Sequence, residues 1–246
     1  MPLKIDLHVH TNYSHDSLIT LEDIILHARK RGLDGVAITD HDRLDGALQI
    51  AKTLDIPAIP GVEVSSSKGH IIGLNVQEQI PSKLDVDETV DRIHEAGGIA
   101  IACHPTSLFK GNIGKYANSK FDAIEVINSS AFPFKYSVKR SEKLASRLGI
   151  SRVAGSDAHY GPEIGLAYTI IDAELEVEEI IKAIKGGFCR PFGGATPLKL
   201  RLRRKFLSYK GKILSKKKRD FSGNFPSDRG LTLCSAAFQA QRRVQG

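Results

Sequence analysis

The segment LKIDLHVH (residues 3–10) has the pattern of a buried strand that ends in two histidines. Further apolar runs of strand length follow it, and segments with helical periodicity separate most of them. These runs lie at 35–39, 58–64, 70–76, 99–103, 123–127, 152–155 and 166–171. The alternation predicts an α/β fold with parallel strands. Because neither a Gly-rich dinucleotide fingerprint nor a GxxxxGK[ST] phosphate loop occurs, a barrel is favoured over a doubly wound nucleotide-binding sheet.

Polar clusters stand at the ends of the predicted strands. In a parallel barrel the carboxyl ends of all strands open on one face, so the clusters are expected to meet there. Side chains two residues apart in a strand project to the same side, so His8 and His10, and likewise Asp157 and His159, can grip one ion. Imidazole and carboxylate together suit Zn²⁺, Mn²⁺ or Fe²⁺. The clusters are DLHVH (6–10), TDHD (39–42), GVE (61–63), a strand headed by His70, CHP (103–105), IEV (124–126) and GSDAH (155–159).

The composition excludes several classes of protein. The 246 residues are 41% hydrophobic and 26% charged, which is sufficient apolar content for a packed core. No run approaches the ~18 apolar residues of a membrane span, so no membrane partner is expected. Three widely spaced cysteines exclude a disulfide scaffold and a four-cysteine zinc site, and a reducing cytoplasm is the expected location.

Charge divides the chain into two parts at residue 196. Residues 1–196 carry 21 Lys and Arg against 26 Asp and Glu, whereas residues 197–246 carry 14 Lys and Arg against 2 Asp. We therefore expect a domain of residues 1–196 and a basic, partly flexible C-terminal tail of residues 197–246. Cations between 197 and 219 could contact a nucleic-acid backbone. The alternative is a solvated appendage that packs along the domain as a helix.

Taken together, these motifs resemble those of the polymerase-and-histidinol-phosphatase (PHP) family of metal-dependent phosphoesterases. The resemblance runs through most of residues 1–196 and keeps the family's order. It implies the family's fold, a distorted seven-stranded (β/α) barrel similar to a TIM barrel. The matching segments are DLHVHTNYSHDS (6–17), GVAITDHD (35–42), IPGVEVS (59–65), GHIIGL (69–74), ACHP (102–105) and GSDAH (155–159).

The resemblance also implies two or three divalent ions held by nine side chains. Asp16 is preferred to its neighbour His15, because the family's ligand lies six residues after the second histidine of the HxH motif; His15 remains a competitor. Cys103 is expected to point away from the ions, into the core. The implied ligands are His8, His10, Glu63 and Asp157 for one ion, Glu63, His70 and His104 for a second, and Asp16, His41 and His159 for a third.

The chemistry expected of such a site is hydrolysis of a phosphomonoester or nucleotide, in which a hydroxide bridging two ions attacks phosphorus. Asp157, or a water held by His159, would handle protons. Asp6 and Asp40, each beside a ligand, are expected to orient the imidazoles. Substrate contacts are predicted for residues that follow the clusters, although each has surface polarity or a structural role as an equal alternative. They are Arg43, Glu125, Asn128 and Ser130.

Two other functions compete with this hypothesis. One is a nuclease that trims single-stranded RNA or DNA ends and uses the basic tail as a tether. The other is a non-catalytic subunit of a nucleic-acid-processing assembly. The complete set of expected ligands argues against the second, because a scaffold needs no metal cage.

Overall fold

In the computed structural model, which describes residues 1–109 and 111–209, nine strands form one curled sheet. The strands are β1 (Leu3–Val9), β2 (Gly35–Ile38), β3 (Ala58–Ser66), β4 (Gly69–Leu74), β5 (Ile99–Ala102), β6 (Ala123–Asn128), β7 (Ser151–Gly155), β8 (Ala167–Ile171) and β9 (Cys189–Gly193). The helices are α1 (Leu21–Arg31), α2 (Asp45–Ala51), α3 (Val86–Glu95), α4 (Phe134–Leu148) and α5 (Val177–Lys185). Residues 198–209, the C-terminal helix, are also helical.

The sheet is nearly closed into a barrel. Its strand order is β7-β6-β5-β4-β3-β2-β1-β8-β9. The carboxyl end of β1 meets the segment after β7 through one bridge, between Val9 and Ala158. Lower on the same side of β1, β8 pairs with Leu3–Ile5. The Thr169 hydroxyl of β8 binds the backbone of Ala154 in β7, with both bonds at 2.9 Å. The gap between β1 and β7 is therefore closed by the bridge at the carboxyl end of β1, and β8 fills it towards the amino end of β1.

The barrel-like α/β sheet was predicted correctly, but the expectation of seven parallel strands is wrong. Only β1–β2, β2–β3, β5–β6 and β6–β7 are parallel. A two-residue turn joins β3 to β4, which leaves no room for a crossover helix and forces an antiparallel pair. β4 is also antiparallel to β5, and β8 is antiparallel to both β1 and β9.

Alternate residues of the strands face two hydrophobic clusters. One cluster joins the side chains that face into the barrel to α5, and it includes Ile5, Leu7, Ile59, Ile72 and Ile101. The other joins the intervening side chains to the helices α1–α4 on the outside of the sheet. Because successive side chains of a strand point to opposite faces, residues at the strand ends can point into the barrel, where the polar clusters lie.

The compact unit extends from Met1 to Ser208, twelve residues beyond the boundary expected at 196. The difference arises because two arginines of the C-terminal helix bind the barrel. Arg201 donates to the carbonyl oxygens of Ser129 at 3.0 Å and Thr196 at 3.1 Å, and Arg204 pairs with Glu163 at 3.0 Å. The rest of the predicted basic tail, residues 210–246, lies outside the described residues. Within the described ranges, no helix is both long and apolar enough to cross a membrane.

Candidate metal centre

All nine expected ligands lie at one mouth of the barrel. His70 stands at the start of its strand, and it reaches the mouth because β4 runs antiparallel to β3. Ser65 of β3 pairs with His70, so the imidazole projects beside Glu63. The positions are His8 in β1, His10 and Asp16 after β1, His41 after β2, Glu63 in β3, His70 in β4, His104 after β5, and Asp157 and His159 after β7.

The carboxylate of Glu63 is the centre of this cluster. It is 1% exposed, and five imidazoles surround it. Its Oε1 lies 2.8 Å from Nδ1 of His70 and 2.9 Å from Nε2 of His104. Its Oε2 lies within 3.4 Å of three more ring nitrogens, at 3.0 Å from His41 Nδ1, 3.2 Å from His10 Nε2 and 3.4 Å from His8 Nε2.

Two aspartates complete the cluster on either side. Asp157 Oδ1 lies 3.6 Å from His10 Nε2 and 3.5 Å from His159 Nδ1. Asp16 Oδ2 lies 3.2 Å from His159 Nε2 and 3.6 Å from His41 Nε2. His15 is exposed, and its ring centroid is 6.0 Å from that of His41. Asp16 is therefore the member of this pair that meets the two histidines.

The donor set fits a group of cations. Nε2 of His8 and Nε2 of His10 lie 3.1 Å apart, although Nδ1 of His8 must donate its proton to Glu125 at 3.0 Å. Oε2 of Glu63 is buried and accepts no hydrogen bond within the described residues. Lone pairs that converge at this spacing repel one another unless a proton or a metal ion lies between them.

The same atoms form five overlapping triplets among the described residues. The three ligand atoms of each triplet lie within 4.8 Å of one another. The grouping overlaps the implied assignment but does not reproduce it, because His8–His104–Asp157 and His10–His41–His159 each mix residues of two implied sets and no triplet contains Asp16. The assignment of ligands to particular ions stays a prediction. The triplets are His10–His41–His159, His8–His10–Glu63, His8–His104–Asp157, His41–Glu63–His70 and Glu63–Cys103–His104.

The environment of the cluster raises the pKa of two of its histidines and lowers the pKa of a third. Burial opposes protonation of His8, but the carboxylates of Glu125 and Glu63 outweigh it and raise the pKa of His8 to about 9. Burial also opposes protonation of His41, yet the carboxylates it contacts raise its pKa to about 10. Burial lowers the pKa of His10 to about 4. Protons on His8 and His41 and bound cations are thus alternative partners for the same carboxylates.

Glu125 supports two expected ligands, which is the structural role that the sequence left as the alternative to a contact with substrate. The side chain is 3% exposed. Its Oε1 accepts from Nδ1 of His8 at 3.0 Å, and its Oε2 accepts from the backbone N–H of His104 at 2.7 Å. That bond holds His104 at a φ of 32°, in the left-handed region that few residues other than glycine adopt. Because its oxygens are engaged with protein groups, Glu125 orients ligands and does not face the mouth.

Asp6 accepts from backbone N–H groups, whereas Asp40 accepts from the backbone and hydroxyl of Thr11 and from the hydroxyl of Ser14; that both orient the imidazoles stays a prediction. Asp6 accepts from the N–H groups of Ser156 and Gly165, at 2.9 and 2.8 Å. Burial outweighs these bonds and raises the pKa of Asp6 to about 6. Asp40 accepts from the Ser14 hydroxyl at 2.8 Å, and that hydroxyl lies 3.4 Å from Nδ1 of His10. Asp40 therefore reaches an imidazole only through Ser14.

The other predicted substrate contacts, which stay predictions, have protein partners in the structure. Asn128 is buried and donates to Oδ2 of Asp157 at 3.1 Å, which leaves Oδ1 to face the histidines. Ser130 donates to the backbone oxygen of Asp157 at 3.3 Å. Arg43 is exposed and forms an ion pair with Asp45 at 2.6 Å. Two of the three thus position Asp157, whose φ of 54° is also left-handed.

Sequence reasoning misplaced or missed three further residues. Cys103 lies in the barrel's inner cluster, but its Sγ reaches Oε1 of Glu63 at 3.4 Å and does not point away from it. Ser14, described above, lies within the first motif, yet only its contacts distinguish it from neighbouring polar residues. Glu163 is 0% exposed and accepts from the backbone N–H of His159 at 3.1 Å. Nothing in the sequence marks Glu163.

Comparisons with known proteins agree with the architecture. A two-domain protein of Bacteroides vulgatus, described as containing a predicted PHP-like metal-dependent phosphoesterase, has a similar fold. Its structure matches with a TM-score of 0.64 and 18% identity, over 79% of this chain and 65% of that one. A protein of Caldicellulosiruptor bescii named a probable phosphatase is 26% identical over 200 residues, which cover 67% of this chain and 83% of that protein.

Closer sequence relatives come from Methanocaldococcus jannaschii. One uncharacterised protein is 36% identical over 141 residues, covering 52% of this chain and 82% of the relative. Another is 33% identical over 189 residues, covering 72% of this chain and 73% of the relative. The model of the PHP domain matches residues 6–128, half of the chain, and a model described as PHP-associated matches residues 136–189. The resemblance of the motifs is thereby confirmed, and the chain belongs to the PHP domain family.

Proposed function

We propose that this protein is a metal-dependent phosphoesterase that hydrolyses a phosphomonoester or a nucleotide. The observation that carries the proposal is the buried carboxylate of Glu63 with five imidazole nitrogens within 3.4 Å of its oxygens. A structural ion pair would require one cation for this carboxylate. Five imidazoles, with two aspartates beside them, are instead the ligand types of Zn²⁺, Mn²⁺ or Fe²⁺.

The ligand sets proposed for two or three ions follow the family's pattern. When bound, such ions would supply a hydroxide nucleophile at neutral pH and neutralise charge on the phosphoryl oxygens. Glu63 would be shared between the first two sets because both of its oxygens face histidines. The sets are His8, His10, Glu63 and Asp157; Glu63, His70 and His104; and Asp16, His41 and His159.

The exposure of the side chains gives the direction from which a substrate would approach. His8 and His104 lie at the bottom of the cluster, where their side chains are 0% and 2% exposed. His70 and Asp16 lie at the rim, where theirs are 27% and 40% exposed. A phosphate entering from solvent would therefore meet the rim first, and the deeper residues would hold their geometry out of contact with bulk water.

Proton transfer is proposed for Asp157 and His159. Asn128 occupies Oδ2 of Asp157, so Oδ1 is the oxygen that faces the histidines. The Nδ1 of His159 lies 3.0 Å from the backbone oxygen of Asp157, which fixes the ring and directs Nε2 towards Asp16 and the rim. Nε2 is therefore the atom through which His159 would act, either as a ligand of the third ion or, with that site empty, as the group that holds a water or a leaving oxygen.

The test combines elemental analysis of the purified full chain with a phosphate-release screen. The screen covers sugar phosphates, nucleotides and short oligonucleotides. Glu63→Gln and His8→Ala are expected to lose bound metal and to lower metal-dependent hydrolysis at least ~100-fold. The matched controls are Glu95→Gln and His94→Ala, since both residues lie on α3 and pair with groups away from the cluster. Hydrolysis that survives either ligand variant at full rate would refute the proposal.

The nuclease alternative rests on the excess of cations in residues 197–246. Truncation at 197 is unsuitable as a test, because it would remove Arg201 and Arg204. Neutralising the KKKR segment at 216–219 keeps both arginines. If oligonucleotide hydrolysis and its salt dependence are unchanged in that variant, this segment is no tether. Well-folded protein with neither metal nor hydrolysis would favour the non-catalytic alternative. The cytoplasmic location stays a prediction.

A further inference from the structure

A cleft of about 720 Å³ lies between α4 and two stretches of the loop after β5, residues 105–108 and 112–115. We call it the basic cleft. Its lining includes Lys115, Arg140, Lys143, Arg147, Tyr136 and Leu108. The volume lies within the range of ~300–1,000 Å³ that small-molecule sites occupy.

The basic cleft adjoins the metal centre through its own loop. Pro105 and Thr106 line the cleft and directly follow His104 in the chain. The backbone N–H of His70 donates to the carbonyl oxygen of Gly111, in the same loop, at 3.1 Å. The loop that forms one wall of the cleft is therefore fastened to two expected ligands, on the side of the cluster where His70 is exposed.

Four cations converge on the basic cleft without acidic partners. Arg140, Lys143 and Arg147 are three or four residues apart on α4 and share one face of it, while Lys115 comes from the loop opposite. No carboxylate lines the cleft, and no carboxylate of the described residues pairs with these four cations. The acidic residue of α4, Glu142, points elsewhere and pairs with Arg152 at 3.0 Å.

This arrangement differs from that of ordinary surface cations in the same molecule. Some other exposed cations have a carboxylate at hydrogen-bond distance, as in Arg92–Glu95 at 3.0 Å and Lys182–Glu179 at 2.6 Å, and others, such as Lys139, have none among the described residues. The four cations of the basic cleft are distinguished by lining one concavity. Four unpaired cations around a concavity raise the local concentration of anions, and arginine matches a phosphate group with two parallel hydrogen bonds. The exposed ring of Tyr136 and the exposed side chain of Leu108 add an apolar surface beside the charges.

We propose that the basic cleft is a second subsite for the substrate, which binds a further phosphate-bearing part of a nucleotide-sized molecule. The scissile phosphate of that molecule would lie at the metal centre. The inference deepens the proposed function, because it rests on hydrolysis at that centre and adds that the preferred substrate is a polyanion. A simple monophosphate would use the metal centre alone.

Binding to metal-free protein tests the subsite apart from hydrolysis. The full chain is treated with chelator, and pyrophosphate and ADP are titrated into it by calorimetry. The double variant Lys143→Ala/Arg147→Ala is expected to bind both probes at least ~10-fold more weakly than the unmodified chain. Lys139→Ala, an exposed lysine of α4 outside the cleft, is the matched control and should bind as the unmodified chain does.

Equal affinity in the double variant and the control would overturn the proposal, as would an unmodified chain that binds neither probe. Because the protein carries no metal in this assay, failure of the proposed hydrolysis leaves the result intact. A second readout uses the metal-loaded protein. The double variant should raise KM for ADP more than KM for p-nitrophenyl phosphate; a proportional rise for both substrates would contradict a separate subsite.

Discussion

Replacing Arg204 by alanine tests whether the C-terminal helix holds the metal centre in place. The guanidinium donates to Oε2 of Glu163 at 3.0 Å, and the same oxygen accepts from the backbone N–H of His159 at 3.1 Å. Glu163 is 0% exposed, and its Oε1 has no hydrogen-bond partner within the described part of the chain. Arg204→Ala therefore leaves a buried carboxylate without the one cationic partner that it has among the described residues, beside an expected ligand.

The structure sets the size of the effect. Removing one partner of a fully buried ion pair costs about 3–5 kcal/mol. The Arg204 side chain is 23% exposed, so water replaces part of its interaction, and about 2–3 kcal/mol of unfolding free energy is expected. For a chain of this length that corresponds to a fall in Tm of about 4–12 °C. A weaker affinity for metal should accompany it, because the loop that carries His159 loses its anchor.

The assay is thermal and denaturant unfolding together with a metal titration. Arg203→Ala is the matched control, since Arg203 is exposed on the same helix. The double variant Arg204→Met/Glu163→Gln removes the uncompensated charge and should recover part of the lost stability. If Arg204→Ala unfolds within ~0.5 kcal/mol of Arg203→Ala and binds metal equally well, the helix is not an anchor and the reasoning is refuted.

Three further predictions concern the cluster itself. Because His8 and His41 have pKa values raised to about 9 and 10, binding of Zn²⁺ at pH 7 should release about two protons. Calorimetry in buffers of different ionisation enthalpy measures the number of protons released, which should fall as the pH rises through 9 and 10. Glu125→Gln should weaken metal binding about 10–100-fold while KM of the fully loaded protein changes little; a large rise in KM alone would restore Glu125 as a substrate contact. Gly155→Ala should destabilise the protein by about 1–3 kcal/mol, because the added Cβ would lie 2.4 Å from Cβ of His8, whereas Gly194→Ala, with open space around it, should unfold as the unmodified chain does.

Most of the cluster could be predicted from the polar residues at the ends of the predicted strands. The position of His70 could not, because it depends on the direction of its strand. Alternating apolar runs locate a strand but do not reveal its direction. The turn between β3 and β4 is short, and a short turn forces an antiparallel pair. That reversal explains how His70, at the head of its strand, joins residues that follow other strands. It also explains why the alternation of strands and helices gave the wrong direction for β4.

The supporting residues were harder to predict because their roles depend on three-dimensional neighbours. Asn128 ends β6 and Glu125 lies within it, where a substrate contact could stand, but their partners His8 and Asp157 lie elsewhere in the sequence. In the same way Arg201 and Arg204 belong to a run of cations typical of a solvated segment. Only a buried carboxylate and backbone carbonyls at matching positions on the barrel turn these two arginines into structural residues.

The bridge between Val9 and Ala158 has a consequence for when the protein can bind ions during its synthesis. Val9 belongs to the first of the family's motifs and Ala158 to the last. His8 and His10 flank Val9, and Asp157 and His159 flank Ala158. During synthesis the first pair leaves the ribosome about 150 residues before the second. Stable capture of the ions must therefore wait until the seventh strand has emerged, and shortened translation products that lack it would hold at most an incomplete set of ligands. Metal occupancy would then report on whether a given molecule was made to the end of its barrel.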